Sequence, residues 1–316
     1  MFNRPSSKLA VVGAGAVGAT LAYASLIRGV ARRVVLYDIN TAKVEAEALD
    51  LAHGVQFMPM AHIDGSDDIE ICRDADVVVV TAGAKQQPGQ SRMQLAESTV
   101  GLMRKLIPAL VHVAPNAMYV MVTNPVDVVT YAALKLSGLP ATQLFGSGTV
   151  LDSSRLRHLV SMACGVSVHN VHAYMAGEHG DTEIALWSTA SIGGVPLLEW
   201  EAETAELGEE QREQIVHDVV RAAYRVIEGK GATNYAVGLA SARIIESVLR
   251  DEERVMPVTT MIDDWQGIGD VCMSVPTVLG RRGAHTRLSL PLSDPEHAAL
   301  RYSADQIRAE ARKLGF

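Results

Sequence analysis

A glycine motif that directly follows an apolar segment is the feature that most constrains this chain. Residues 8–12 are apolar enough for a buried strand and run into Gly13, with Gly15 and Gly18 completing the spacing Gly-x-Gly-x-x-Gly before a predicted helix at 17–30. In such a turn the first glycine permits a tight bend, the second lets a ligand approach the backbone, and the third allows close packing of helix on strand. The motif therefore predicts a βαβ unit, with a glycine-rich turn that binds nothing as the alternative.

An acidic residue at the end of the next predicted strand favours a dinucleotide. The strand at 33–37 ends at Asp38, which lies 20 residues after Gly18. A carboxylate at this place can accept a hydrogen bond from the ribose 2′-hydroxyl of NAD and would repel the 2′-phosphate of NADP. The helix that begins after the glycines would present unpaired N–H groups to the pyrophosphate. We therefore expect NAD as the cofactor.

Strands and helices continue to alternate over the first half of the chain, and this alternation predicts a parallel sheet. The fold class expected is α/β, a Rossmann-type doubly wound parallel sheet at 1–148. A proline, Pro108, is expected to bend or break the third helix. The further predicted strands are 76–81, 118–122 and 143–146, and the helices between them are 41–56, 93–113 and 126–136.

The rhythm changes near residue 149, and an α+β domain is expected at 149–316. No linker rich in proline, glycine or serine separates the two halves, which favours a tight interface with a cleft. The predicted helices are 150–162, 209–227, 235–249 and 294–314, and the predicted strands are 171–175, 183–192 and an antiparallel set at 255–261, 271–279 and 287–290.

Composition excludes several classes of protein. The 316 residues include 28 basic and 36 acidic side chains, a net charge of −8 that argues against a nucleic-acid partner. The three cysteines, Cys72, Cys164 and Cys272, form no CxxC pair, so we expect reduced thiols in the cytoplasm and no metal site. The apolar run near the N-terminus is too short for an export signal, and no stretch is long enough to span a membrane.

Three side chains in the second half could carry chemistry. His179 lies in a predicted turn between glycines and acids, and a lone histidine of this kind is more often structural than catalytic. Asp152 and Arg155 stand three residues apart on a predicted helix, so both point to one side. The plain interpretation of that pair is a surface ion pair, although its place at the domain junction favours a site.

Several longer segments strengthen that interpretation, because together they resemble the lactate and malate dehydrogenase family over nearly the whole chain. The similarity is closest to the lactate-type members from bacteria. It implies an NAD-dependent oxidoreductase for a small 2-hydroxy acid, with pyruvate and L-lactate as the expected pair. The matching segments are 11–18, 81–92, 122–127, 146–157, 170–182 and 232–237.

The resemblance also implies a role for each candidate residue. His179 is the expected acid and base, Asp152 would hold its ring, Arg155 would bind the substrate carboxylate bidentately, and Arg92 would polarise the carbonyl. Other residues expected at the substrate are Gln86, Asn124 and Thr233. The residues expected at the cofactor are Gly13, Gly15, Val17, Gly18, Asp38, Lys43, Gly83, Ala84, Val122, Thr123, Asn124 and Ser147.

Gln86 sets the expected substrate. Malate-specific members of the family carry arginine there, and a neutral glutamine offers no partner for the second carboxylate of oxaloacetate. Pyruvate is therefore favoured over oxaloacetate, with malate or a bulkier 2-hydroxy acid as the alternative. A protein that keeps the fold for nucleotide sensing is a second alternative, disfavoured because a scaffold needs none of the four charged residues.

The resemblance further implies regulation and assembly. Arg157 is about 200° around the helix from Arg155 and would point away from the substrate. Together with His172 it matches a site for fructose 1,6-bisphosphate that activates bacterial members, and both residue types suit a phosphate. Two unrelated surface cations are the alternative. A homotetramer is also implied.

Overall fold

The first half of the chain forms the strands and helices that its alternation predicts. The computed structural model describes residues 7–84, 92–202 and 205–316, with the backbone alone at 92, 201, 202, 205 and 206. The elements of this half are β1 (Lys8–Val12), α1 (Ala16–Ile27), β2 (Arg33–Tyr37), α2 (Thr41–His53), β3 (His62–Ser66), β4 (Val77–Val80), α3 (Arg92–Val113), β5 (Met118–Met121), α4 (Val126–Ser137) and β6 (Leu144–Gly146).

These six strands form a parallel sheet in the order β3-β2-β1-β4-β5-β6. Helices cover both faces, so a central strand buries every side chain. On β1, Leu9 and Val11 enter one core while Ala10 and Val12 enter the other. This two-sided burial explains why the central strands are continuous apolar runs without alternation.

The second half contributes four helices and ten short or antiparallel strands within the described residues. The elements are α5 (Val150–Ala163), β7 (Val171–His172), β8 (Met175–Ala176), β9 (Ile184–Ala185), β10 (Ser191–Ile192), β11 (Val195–Pro196), β12 (Glu201–Ala202), β13 (Ala205–Glu206), α6 (Glu209–Lys230), α7 (Tyr235–Arg250), β14 (Arg254–Ile262), β15 (Val271–Gly280), β16 (Gly283–Arg287) and α8 (Asp294–Lys313).

The antiparallel strands of the second half extend the parallel sheet. β14 pairs with β6 through Thr259 and Gly146, and β15 and β16 follow, so that one nine-stranded sheet crosses both halves. This covers the edge of β6, which would otherwise expose unpaired backbone groups. The expected antiparallel set is confirmed, but its third strand lies at Gly283–Arg287 and not at 287–290.

The break expected at Pro108 does not occur, because α3 runs unbroken through it. Pro108 lies on the exposed side of the helix, while Met103, Ile107 and Leu110 are buried in the core. The lost backbone hydrogen bond therefore falls where water can replace it, and packing of the opposite side holds the helix together.

Other expectations about strands also need correction. The edge strand β3 was not expected, because its sequence is mostly polar, and the strand predicted at 171–175 is divided into β7 and β8. The strand predicted at 183–192 is interrupted by a tight turn at Trp187–Thr189. There the Glu296 carboxylate accepts hydrogen bonds from the Ser188 N–H and hydroxyl at 2.9 and 2.5 Å, which draws the backbone out of a strand.

The three cysteines are buried and unpaired, each in a different part of the structure. Across the described ranges, no helix combines the length and apolarity that crossing a membrane requires.

Candidate active site

The glycine turn after β1 has the shape of a phosphate cradle. Gly13 has a φ of +103°, a conformation that side chains disfavour, and a Cβ on Gly18 would lie 1.9 Å from the Gly13 carbonyl oxygen. A Cβ on Gly15 would meet nothing within 4 Å, so the space beside it is open to a ligand. Because α1 begins without a side-chain cap or an acidic residue in its first turn, its N–H groups can serve an anion.

Asp38 lies against this turn. Its Oδ2 accepts a hydrogen bond from the Ala14 N–H at 2.7 Å, and its Oδ1 accepts one from the Asn40 N–H at 3.0 Å. The Gly13 N–H donates to the Tyr37 carbonyl at 2.7 Å, which fastens the turn to the end of β2. The carboxylate is thereby fixed beside the cradle, where a ribose hydroxyl would be bound.

The other candidate cofactor residues follow the remaining parallel strands, whose carboxyl ends meet at this edge of the sheet. Packing there is tight, because a Cβ on Gly83 would lie 2.4 Å from Thr123 Cγ2, and the Thr123 hydroxyl donates to the Ala82 carbonyl at 2.7 Å. These residues fit a dinucleotide laid across the edge. Gly83 and Ala84 follow β4; Val122, Thr123 and Asn124 follow β5; Ser147 follows β6; Val17 and Lys43 lie near the starts of α1 and α2.

The loop between β8 and β9 carries His179, and long-range contacts hold it in place. Its first residue, Gly177, pairs with Ser274 of β15 through two backbone hydrogen bonds. The His179 N–H donates to Asp127 Oδ2 at 2.7 Å, and the Thr259 hydroxyl donates to Asp127 Oδ1 at 2.6 Å. A buried carboxylate at the start of α4 therefore joins the loop to the sheet.

His179, Asp152 and Arg155 meet in one cluster, which we call the His179 cluster. His179 Nδ1 lies 2.7 Å from Asp152 Oδ2, and Arg155 Nη1 lies 2.6 Å from Asp152 Oδ1. Asp152 is 2% exposed, whereas the His179 side chain is 25% exposed. The buried carboxylate thus holds a histidine ring that remains accessible, an arrangement typical of an acid–base pair.

The electrostatics of the cluster favour a charged pair. Burial disfavours the imidazolium, but the charge and hydrogen bond of Asp152 outweigh it, with smaller help from Glu183 and Asp127, and raise the pKa of His179 to about 9. Burial also opposes the charge on Asp152, yet His179 and then Arg155 bring the pKa of that carboxyl below its ordinary value. At neutral pH the pair therefore holds its proton on the ring.

Asp127 is a site residue that the sequence reasoning missed. It is 3% exposed, and burial raises its pKa to about 7 although hydrogen bonds from Thr259 and His179 lower it. Its position at the end of the segment 122–127 marks it only as part of a family motif. The local signal for its role, an acidic residue in the first turn of a buried helix, is also what ordinary helix starts show.

Glu183 is the second missed residue. Oxygen atoms of Glu183 and Asp152 and a ring nitrogen of His179 all lie within 4.8 Å of one another, a spacing that a cation could share. Asp152, however, already uses one oxygen for Arg155 and the other for His179. A cation would have to displace both contacts beside two positive groups, so we do not assign a metal to this place.

Four candidate substrate residues have less structural detail. Gln86 lies outside the described residues, and Arg92 is described only as the first backbone position of α3. Asn124 is exposed at the end of β5, and Thr233 is half-buried between α6 and α7.

The two residues of the expected phosphate site come from neighbouring elements, His172 from β7 and Arg157 from α5. His172 is exposed, whereas Arg157 is half-buried, with its Nε donating to the Ala173 carbonyl at 2.9 Å and its guanidinium 4.9 Å from the centre of the Tyr174 ring. Burial lowers the pKa of Arg157. One nitrogen and one face of the Arg157 guanidinium therefore already have partners within the protein, whereas His172 is exposed to solvent.

A glycine turn with room for a phosphate, a carboxylate fixed beside it and an accessible histidine backed by a buried aspartate are the features expected of an NAD-dependent oxidoreductase. Comparison with known families specifies which one. Residues 7–146 match the model of the lactate/malate dehydrogenase NAD binding domain, and residues 149–314 match that of the lactate/malate dehydrogenase alpha/beta C-terminal domain. The chain belongs to the lactate/malate dehydrogenase family.

Curated relatives and solved structures agree with this assignment. An L-lactate dehydrogenase of Bifidobacterium animalis subsp. lactis is 55% identical, with all of both chains covered. An L-lactate dehydrogenase of a Thermoanaerobacter species is 42% identical over 98% of this chain and 99% of its own. The crystal structure of a minor L-lactate dehydrogenase from Enterococcus mundtii, in a ligand-bound form, superposes with a TM-score of 0.94 at 34% identity, covering 98% of this chain and 99% of that one.

Proposed function

We propose that the protein is an L-lactate dehydrogenase that interconverts pyruvate and L-lactate, with His179 as the proton donor and acceptor. Full-length similarity to proteins of that name supports the activity. The observation that carries the role of His179 is its Nδ1 at 2.7 Å from Asp152 Oδ2. Because Asp152 takes Nδ1, the nitrogen that can face a substrate is Nε2.

The chemistry requires a proton on the carbonyl oxygen of pyruvate as its carbon is reduced. Bound NADH supplies the hydride. His179 donates its proton from Nε2 and takes it back when lactate is oxidised. Asp152 orients the ring and compensates the imidazolium charge, and a pKa of about 9 keeps that charge in place at neutral pH.

Two arginines complete the proposed site. Arg155 binds Asp152 through Nη1, which leaves the rest of its guanidinium to grip the substrate carboxylate; lysine would lack that fork. Arg92 would polarise the carbonyl and stabilise the charge that develops on oxygen, a role that rests on the family resemblance. Asn124 would orient the substrate or the nicotinamide, and Thr233 would line the opposite side of the pocket.

Substrate choice is proposed to depend on Gln86. The test is steady-state NADH oxidation with pyruvate, oxaloacetate and 2-ketoisocaproate, in which pyruvate should have a kcat/KM at least about 100-fold above oxaloacetate, because a second buried carboxylate would be unpaired. Gln86→Arg should narrow or reverse this ratio, and Gln87→Arg serves as the matched control. A higher kcat/KM for oxaloacetate in the unchanged enzyme would favour the malate alternative, and one for 2-ketoisocaproate would favour the bulkier acid.

Activation by fructose 1,6-bisphosphate at Arg157 and His172 is a further proposal. It is supported by their proximity at β7 and by the exposure of His172. The expected result is a leftward shift of the pyruvate saturation curve with the sugar bisphosphate, abolished in His172→Gln and retained in His169→Gln. An unchanged curve and oligomer equilibrium would contradict the proposal.

Assembly, location and domain division are also proposed from the family resemblance. We propose a homotetramer in the cytoplasm, with a cofactor domain at 1–148 and a substrate domain at 149–316. Light scattering coupled to gel filtration tests the oligomer, and a mass of one or two chains at working concentration would contradict it.

A further inference from the structure

Glu183 presents a carboxyl group that the proposed mechanism does not use. It lies four residues after His179, just before β9, and is 6% exposed. Its Oε2 is buried without a hydrogen-bond partner in the portion of the chain for which side chains are described. Because an unpaired buried charge is very unfavourable, a carboxyl group in this position holds its proton.

The groups around Glu183 also favour a protonated carboxyl at this position. Its carboxyl oxygen, an Asp152 oxygen and a His179 ring nitrogen lie within 4.8 Å of one another. Asp152 is already ionised between His179 and Arg155, and two carboxylates that share one site resist ionising together. This arrangement therefore favours a second proton, on Glu183, beside the one on His179.

We propose that Glu183 is a positioning residue for this proton transfer: its neutral carboxyl backs the His179–Asp152 pair, and its later ionisation keeps His179 protonated into the alkaline range. The inference rests on the proposed role of His179. Glu183 acts through the histidine and is not assigned a contact with substrate. With Glu183 protonated, the site holds two titratable protons in place of one.

The charged groups around Glu183 determine the direction in which its pKa and that of His179 move. Burial raises the pKa of Glu183, Asp152 and Asp127 raise it further, and His179 and Arg155 oppose them. In return, a charge on Glu183 is one of the causes that raise the pKa of His179. Glu183 also lines a cavity of about 490 Å³ together with charged or titratable groups of α6; they are Glu209, Arg212, Glu213 and His217.

A substitution that removes only the ionisable oxygen separates the charge of Glu183 from the shape of its side chain. Glu183→Gln keeps the shape of the side chain but cannot become an anion, so His179 loses the support that an ionised Glu183 would give. His179 should then release its proton at a lower pH than in the unchanged enzyme. Glu213→Gln makes the same chemical change at an exposed position on α6 that lines the same cavity, which makes it the matched control.

The experiment follows kcat/KM for pyruvate, and oxamate binding to the enzyme–NADH complex, as functions of pH. In Glu183→Gln the alkaline limb of both profiles should move down by about one pH unit, the size expected for strongly interacting titrating groups. The Glu213→Gln profiles should coincide with those of the unchanged enzyme. Coincidence of the Glu183→Gln profiles with them as well would overturn the proposal.

An infrared measurement tests the proton on Glu183 directly. The difference spectrum between the unchanged enzyme and Glu183→Gln at neutral pH should contain the C=O band of a protonated carboxylic acid. If a carboxylate band is present in its place, the proposal fails. Turnover that persists in His179→Asn would instead overturn the role of His179, so the two failures are distinguishable.

Discussion

The glycine turn after β1 and the His179 cluster are built in opposite ways. The turn uses backbone atoms and open space, and Asp38, its acidic partner, binds the Ala14 N–H from 24 residues away. The cluster uses ionised side chains, and His179 reaches Asp152 across 27 residues and Asp127 across 52. One site is made by the steric permissiveness of glycine, the other by charges brought together through burial.

This difference in construction predicts that substitutions at the two places impair different properties of the enzyme. Substitution at the turn should change cofactor affinity through sterics, with little effect on pH dependence. Substitution in the cluster should change the rate of the chemical step and its pH profile, while the cofactor still binds. Substitutions at His179, at Asp152, at the glycines and at Asp38 test this separation.

The largest effect is expected in the cluster. His179→Asn should lower kcat for pyruvate reduction by about 1,000-fold, because the proton donor is lost, while the Kd for NADH should change less than about twofold. Stopped-flow kinetics and NADH fluorescence measure the two quantities. His172→Asn, an exposed histidine, is the control for kcat without the bisphosphate. A loss of NADH affinity as large as the loss of rate would break the separation of the two sites.

Asp152→Asn should lower kcat by about 100-fold, because the ring loses its orientation and the compensation of its charge. The pKa of His179 is raised to about 9 mainly by Asp152, so pyruvate reduction should decline and lactate oxidation should rise as pH increases through about 9. In Asp152→Asn both transitions should move toward the ordinary histidine pKa of about 6.5. Profiles that keep their midpoints in the variant would argue against the pairing.

The glycines allow a steric test within one turn. Gly18→Ala should weaken NADH binding by about 30-fold and cost about 1–3 kcal/mol of folding stability, because its Cβ would lie 1.9 Å from a carbonyl oxygen. Gly15→Ala should weaken NADH binding without a loss of stability, since its Cβ meets nothing within 4 Å in the described structure. Calorimetry and thermal unfolding measure both, with Gly101→Ala as the control. Equal destabilisation by the Gly15 and Gly18 substitutions would contradict the steric account.

The smallest effect is expected at Asp38. Asp38→Asn should weaken NADH binding by about tenfold, roughly the value of one charge-assisted hydrogen bond, and should reduce the preference over NADPH. Asp67→Asn removes a nearby carboxylate that binds the Thr41 hydroxyl and serves as control. An unchanged NADH to NADPH preference would remove Asp38 from the ribose site.

Local sequence was sufficient for much of the first half. Continuous apolar runs mark strands buried on both faces, and β1, β2, β4, β5 and β6 lie within a few residues of their predicted bounds. The polar edge strand β3 was not predicted because its pairing with β2 is a tertiary contact that its own residues do not signal. The continuity of α3 was not predicted, because whether Pro108 lies on the exposed or the buried side depends on what the helix packs against.

The residues of the candidate site also divide into those that local sequence could identify and those that depend on tertiary packing. Asp152 and Arg155 could be paired from their spacing on one helix. The turn context singled out His179 as a candidate, and the family resemblance supplied its role. Asp127 and Glu183 could not be found in this way, because an acidic residue near a helix start or before a strand is ordinary until its burial is known.

The spacing of glycines, apolar runs and one carboxylate determined by themselves a parallel sheet with a cofactor edge, since turn geometry and two-sided burial act over a few residues. Tertiary structure alone decided that the sheet continues into the second half and that carboxyl groups from three separate segments surround one histidine. The physical reason is that the ionisation of a group depends on the desolvation and charge around it, and distant parts of the chain supply both.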